Sequence, residues 1–185
     1  MIDFNELRNK KKAWENMYFI VVAGDREFTE DYLLFLPSDG VIRPFTGMEL
    51  VTYVLDTVLS KVKERDLTIK IITSDNRGTD ATVIKYAMSH DYDVLRHDAN
   101  WDEFGNRAGF ERNERMFFQV GTKPHKAALL FWDGTNNFTR NLIYNAYLQS
   151  VPTKVYNYVL KRWLSQEEIR QVQLEEDRKQ FQYRK

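Results

Sequence analysis

Four polar segments hold the side chains that could do chemistry. In Gly24-Asp25-Arg26-Glu27-Phe28, the guanidinium of Arg26 has the fork geometry to grip a phosphate, or to pair with Asp25 or Asp31. Gly24 would let a ligand come close to the backbone. In Thr73-Ser74-Asp75-Asn76-Arg77-Gly78-Thr79-Asp80, hydroxyls and amides lead into a helical pattern whose first N–H groups suit an anion. The alternative there is Thr79 or Asp80 as an ordinary N-cap. The run is neither a Walker A sequence nor a G-x-G-x-x-G. The third segment runs from Asp98 through Trp101, Asp102 and Gly105 to Gly109-Phe110-Glu111-Arg112-Asn113-Glu114-Arg115-Met116. Spacing predicts a helix over 112–120, which puts Arg112 in a first turn where the dipole favours acids. An anionic ligand at that helix end would explain the placement. The fourth is Trp132-Asp133-Gly134-Thr135-Asn136-Asn137-Phe138-Thr139, another polar turn before a helix. Asp75, Asp80, Asp98, Asp102 and Asp133 all fall in these segments, and sequence alone pairs no two of them as acid and base.

The elements that must position these loops are legible from periodicity. Apolar runs at 18–23, 67–72, 127–132 and 153–159, with a weaker one at 92–95, read as buried strands. Helical stripes occupy 48–62, 79–90, 112–120 and 141–148. Strand alternating with helix means an α/β domain: a mainly parallel open sheet covered on both faces, with ligands expected at the strand carboxyl ends. Residues 29–46 are too long for a βα loop and read as a hairpin, Tyr32–Leu36, turn Pro37–Gly40, then Val41–Ile42. It either extends the sheet edge or forms a lid over the strand ends. Ser165-Gln166-Glu167-Glu168 has capping-box spacing, so a C-terminal helix begins at Ser165. The domain is expected over 17–160, with an N-terminal extension at 1–16 and the helix within 161–185.

Composition narrows the function classes. The chain has 185 residues, 43% hydrophobic and 29% charged, with Lys+Arg 27 against Asp+Glu 27. At that length about 70% of the unfolded surface is buried, enough for a core without staples. A net charge of +0 gives no global field for a nucleic-acid backbone. Cys is 0, which excludes disulfides, thiolate metal sites and thiol catalysis. His90, His97 and His125 lack metal-ligand spacing, and no metal or cofactor is expected. Met1–Lys12 has no apolar core of a signal peptide, and no run approaches bilayer-spanning length. A cytoplasmic protein with no membrane partner is the expectation.

The four loops together resemble the YspA-like branch of the SLOG superfamily. Its members share a Rossmann-like fold with cytokinin-activating phosphoribohydrolases and the DNA-processing protein of natural transformation. The resemblance runs from about Tyr18 to Tyr158, and the block from Trp101 to Met116 is its most specific part. It implies a Rossmann-like three-layer domain, a nucleotide or nucleotide-derived ligand at the strand ends, and a possible homodimer. By position, Gly24 and Arg26 match the family's Gly-x-Arg. Arg77, Gly78 and Asp80 match its Arg-Gly-x-Asp, Arg112 and Asn113 its Arg-Asn, and Asp133 and Gly134 its Trp-Asp-Gly.

The departures bear on activity. Asp75-Asn76 stands where the family has Gly-Gly, and Phe138-Thr139 where it has Gly-Thr. The position of the hydrolase relatives' catalytic Glu holds Leu142, which can neither stabilise an oxocarbenium-like state nor activate water. The leading expectation is therefore a sensor or sequestering module for a nucleotide-type ligand. Arg26, Arg77 and Arg112 would meet phosphates, and Trp101 or Trp132 would stack on a base or ribose. The alternatives are a phosphoribohydrolase or N-glycosidase using Asp80, Asp102 or Asp133, and a site eroded into an interaction scaffold.

Overall fold

A computed structural model describes residues 12–26, 28, 31–36 and 41–183. The strands are β1 (Met17–Gly24), β2 (Asp31–Leu36), β3 (Val41–Thr46), β4 (Thr68–Ser74), β5 (Asp93–His97), β6 (His125–Trp132), β7 (Thr153–Asn157) and β8 (Arg162–Trp163). The helices are α1 (Gly47–Lys63), α2 (Thr79–Ser89), the single turn α3 (Trp101–Phe104), α4 (Ala108–Gly121), α5 (Asn137–Leu148) and α6 (Gln166–Tyr183).

The main sheet has the order β5-β4-β1-β6-β7-β8. Every pairing is parallel except β7 with β8. The chain builds outward from β1 through β4 to β5, crosses to β6, and continues to β7. The winding therefore reverses between β1 and β6. Strand carboxyl ends diverge at such a point and leave a crevice, the usual ligand position in open α/β sheets.

Alternation along β1 sends its side chains into two cores. Ile20 and Val22 join Leu50, Leu55, Leu59 and Val83 beneath α1 and α2. Phe19, Val21 and Ala23 join Met116, Phe117, Ile143 and Ile169 beneath α4, α5 and α6. This is a Rossmann-like, three-layer α/β domain. Each fully buried Leu or Phe is worth about 1.5–3 kcal/mol, so these two cores hold the strand ends, and with them the site, in place.

Local rules set several boundaries. Thr46 caps α1 in a reciprocal box with Glu49, and Ser165 does the same with Glu168 at α6. Two expectations need correction. Among the described residues the hairpin does not extend the main sheet, one of its two expected placements: there β2 and β3 pair only with each other, and its turn at 37–40 lies outside the described residues. Helix α4 begins at Ala108, entered through a tight turn at Gly105–Arg107. Arg112 thus lies in the second turn, beyond the reach of the end dipole, and its position has another cause. Among the described residues no helix is long and apolar enough to cross a membrane.

Candidate functional site

The β1–β6 crevice contains a cavity of about 220 Å³, walled by the ends of β1 and β4 and the first turns of α2, α4 and α5. Among the residues singled out from sequence, Gly24, Arg26, Ser74, Asn76, Asp80, Arg112 and Asn113 line it. Arg26 is exposed at its rim, whereas Ser74, Asp80, Arg112 and Asn113 are buried.

Asp80 stands in the first turn of α2 and is 1% exposed. It does not cap the helix; Gly78 does, with a φ of +74°. Instead the Asp80 carboxylate accepts from the Gly24 N–H at 3.2 Å and from the Ser74 hydroxyl. The Asn76 amide donates to Ser74 Oγ at 2.8 Å. Burial lifts the Asp80 pKa to about 6, against the lowering effect of these donors and of the Arg112 charge.

Arg112 comes from the opposite wall and is 6% exposed. Its Nε and Nη2 donate to Asn113 Oδ1 at 3.2 and 2.9 Å. Asn113 is itself fixed, its amide donating to Phe138 O at 3.0 Å and Asn141 Oδ1 at 3.1 Å. Asn113 thus orients the guanidinium and ties α4 to α5. Among the described residues no carboxylate lies within ion-pairing distance of Arg112. Burial lowers its pKa, and the longer-range attraction of Asp80 offsets part of that.

The remaining sequence-selected residues do not line the cavity. Trp101, 47% exposed, and Asp102 lie on α3. Trp132 points into the α4–α5 core at 4% exposure, with its Nε1 donating to Asn136 O at 3.0 Å. The Asp133 carboxylate holds its own loop, accepting from the N–H groups of Thr135 and Asn136. Gly134 packs against Asn157. Arg77 is exposed on the β4–α2 turn. Gly78 and Thr79 hold the β1 and α2 loops together, with the Thr79 hydroxyl and N–H both directed at Asp25 O.

Gly24 has a steric role unlike the one its sequence position suggests. A Cβ there would lie 2.5 Å from Phe131 O and 2.8 Å from Thr79 Oγ1. Its small size admits the neighbouring strand and helix.

Asp25 was read from sequence only as a possible partner of Arg26. It is 2% exposed. It accepts from the Asp133 N–H at 2.7 Å, the Tyr158 hydroxyl at 2.9 Å and the Thr139 hydroxyl. Burial still prevails over these donors and lifts its pKa to about 6. Two partners lie 114 and 133 positions away, a separation no local pattern reveals. Phe138 and Leu142 supply the apolar wall. Gly109 makes room for the Phe138 ring, since a Cβ there would lie 2.6 Å from Phe138 Cε1.

The arrangement is a small crevice with one oriented, buried cation, two buried carboxyls that can hold protons near neutrality, and an apolar floor. Among the described residues no group of three or more His, Asp or Glu is placed to hold a metal ion. No protein-family model and no curated protein matches the chain.

Proposed function

We propose that this crevice binds a nucleotide or nucleotide-derived anion, and that the protein acts as a sensor or sequestering module for it. The observation carrying the proposal is Arg112: a buried guanidinium facing a cavity, held by Asn113, with no acid in ion-pairing distance among the described residues. A buried charge without a counter-charge is costly, and an incoming phosphate would remove that cost. The site sits at the sheet's switch point. The resemblance of the four loops to the SLOG family points the same way. The volume of about 220 Å³ is below the ~300 Å³ at which drug-sized pockets begin. It suits one phosphate-bearing sugar, with Arg26 at the rim for further charge.

A second reading, cleavage of an N-glycosidic bond, is favoured by Asp25 and Asp80. A carboxyl titrating near 6 can serve as general acid, and Asp80 lines the cavity where Leu142 replaces the relatives' acid. Calorimetric titration with AMP, ADP, ATP, GMP, NAD, ADP-ribose and cyclic dinucleotides, followed by chromatography of each mixture, separates the readings. Binding with the ligand recovered intact supports the sensor. Released base establishes the hydrolase. No heat with any compound moves the protein to the scaffold reading, in which Asp75, Asn76 and Phe138 have eroded the site.

A further inference from the structure

The opposite end of the sheet has a larger opening. A groove of about 630 Å³ runs between the flank of α1 and the amino-terminal ends of β1, β6 and β7. It opens there because α1 and α2 cover this face while the row beyond them is built from small or charged residues. In register, Ile20 lies beside Ala127, and Leu129 beside Lys154. Ala127 leaves space where a larger side chain would reach α1. Lys154 is exposed at a position whose parity belongs to the core face.

The lining is apolar at its base and cationic at its rim. Tyr18, Val58 and Ala127 are half-buried hydrophobics at the edge of the α1–α2 core. Lys61, Arg65 and Lys154 border them. None of these cations has a carboxylate within ion-pairing distance among the described residues. Among the described residues no Asp or Glu lines the groove. On a chain whose charges balance overall, three unpaired cations around an apolar trough form a local field of one sign. Trp14, shortly before β1, packs on the other face, with Lys123 Nζ 3.0 Å from its ring centroid.

From this charge complementarity we infer that the groove is a second binding site, for a small amphiphilic anion: an aliphatic or aromatic body with one carboxylate or phosphate head. The body would lie on Tyr18, Val58 and Ala127, and the head would meet Lys61, Arg65 and Lys154. The volume is within the ~300–1,000 Å³ of small-ligand pockets.

Titration calorimetry with octanoate, octyl phosphate and neutral octan-1-ol tests this. Both anions should bind, the tighter of the two identifying the head group, and octanol should bind at least about tenfold more weakly. The exposed triple variant Lys61→Gln/Arg65→Gln/Lys154→Gln should weaken the anions about tenfold, as three exposed ion pairs predict, and Ala127→Trp should abolish binding. Octanol binding as tightly as octanoate, or an unchanged affinity in the triple variant, overturns the inference. Tighter binding of a glutamate-rich peptide that displaces octanoate overturns the small-ligand assignment in favour of a protein partner.

Discussion

The hydroxyl of Tyr158, just beyond β7, donates to Asp25 Oδ2 at 2.9 Å, so the turn after β7 supports the carboxyl that follows the central strand β1. The Tyr158 ring also packs on Phe28 with centroids 4.6 Å apart. Tyr156, two residues earlier, is buried with a hydroxyl that finds no partner among the described residues. The two tyrosines should therefore respond oppositely to removal of the hydroxyl. Tyr158→Phe should cost about 1–3 kcal/mol in urea unfolding by stripping a donor from a buried acid, and should raise the Asp25 pKa further. Tyr156→Phe should be neutral or stabilising. Equal losses in both would contradict this account of the network.

Arg112 makes a different pairing of stability and binding. Its guanidinium is buried with no carboxylate in ion-pairing distance among the described residues and is only partly offset by the longer-range attraction of Asp80, so Arg112→Met removes an incompletely compensated charge. The ligand-free variant should melt at or above the wild-type temperature while losing affinity for nucleotide anions. A large fall in melting temperature would show instead that Arg112 is a structural residue.

Asp25 and Asp80 predict an inverted pH dependence. Both hold their protons more tightly folded, at about 6, than unfolded, near ~4. Below about pH 4 each is protonated in both states and costs nothing. Between about 4 and 6 the cost of keeping a buried carboxylate grows, and above 6 it is complete. Melting temperature should rise as pH is lowered from 8 toward about 5, and Asp25→Asn or Asp80→Asn should each flatten the slope. A wild-type melting temperature that falls over that window would contradict the reading.

Gly78 and Gly105 both have positive φ, at 74° and 48°, but different surroundings. A Cβ on Gly78 would lie 2.3 Å from Arg26 O, while one on Gly105 would meet nothing within 4 Å. Gly105→Ala should cost about 1–3 kcal/mol, because its φ of 48° and ψ of −133° lie outside the left-handed helical well, in a region that side chains strongly disfavour. Gly78→Ala should cost more, by displacing the Arg26 loop, and should also impair binding. Chemical denaturation of the two variants compares them directly.

The sheet was legible because buried parallel strands are rich in continuous apolar residues: β1 and β6 contain such runs, and Ile69, Ile71 and Ile72 mark β4. Strand β8 was not, because two exposed residues, Arg162 and Trp163, carry no periodicity. The start of α4 was hidden because Gly109, a poor helix former, sits in its first turn and Arg107 precedes it without a side-chain cap. The four loops fell at the strand ends because a parallel topology forces them there. Which side chains face the crevice was a separate question. Trp132 shares the parity of Leu130 and Ala128 in the α4–α5 core, so strand alternation alone would have turned it away from a ligand. Asp25 was beyond reach, since its meaning depends on Thr139 and Tyr158 folding back onto it.

The central claim is that Arg112 receives an anion in the β1–β6 crevice. Thermal unfolding of wild type and Arg112→Met, each with the same nucleotide panel, tests it most directly. Binding predicts that at least one compound stabilises the wild type, by about 2.7 kcal/mol at 100 times its Kd, and that none stabilises Arg112→Met. A flat panel with wild type, or an equal shift in both proteins, would contradict it.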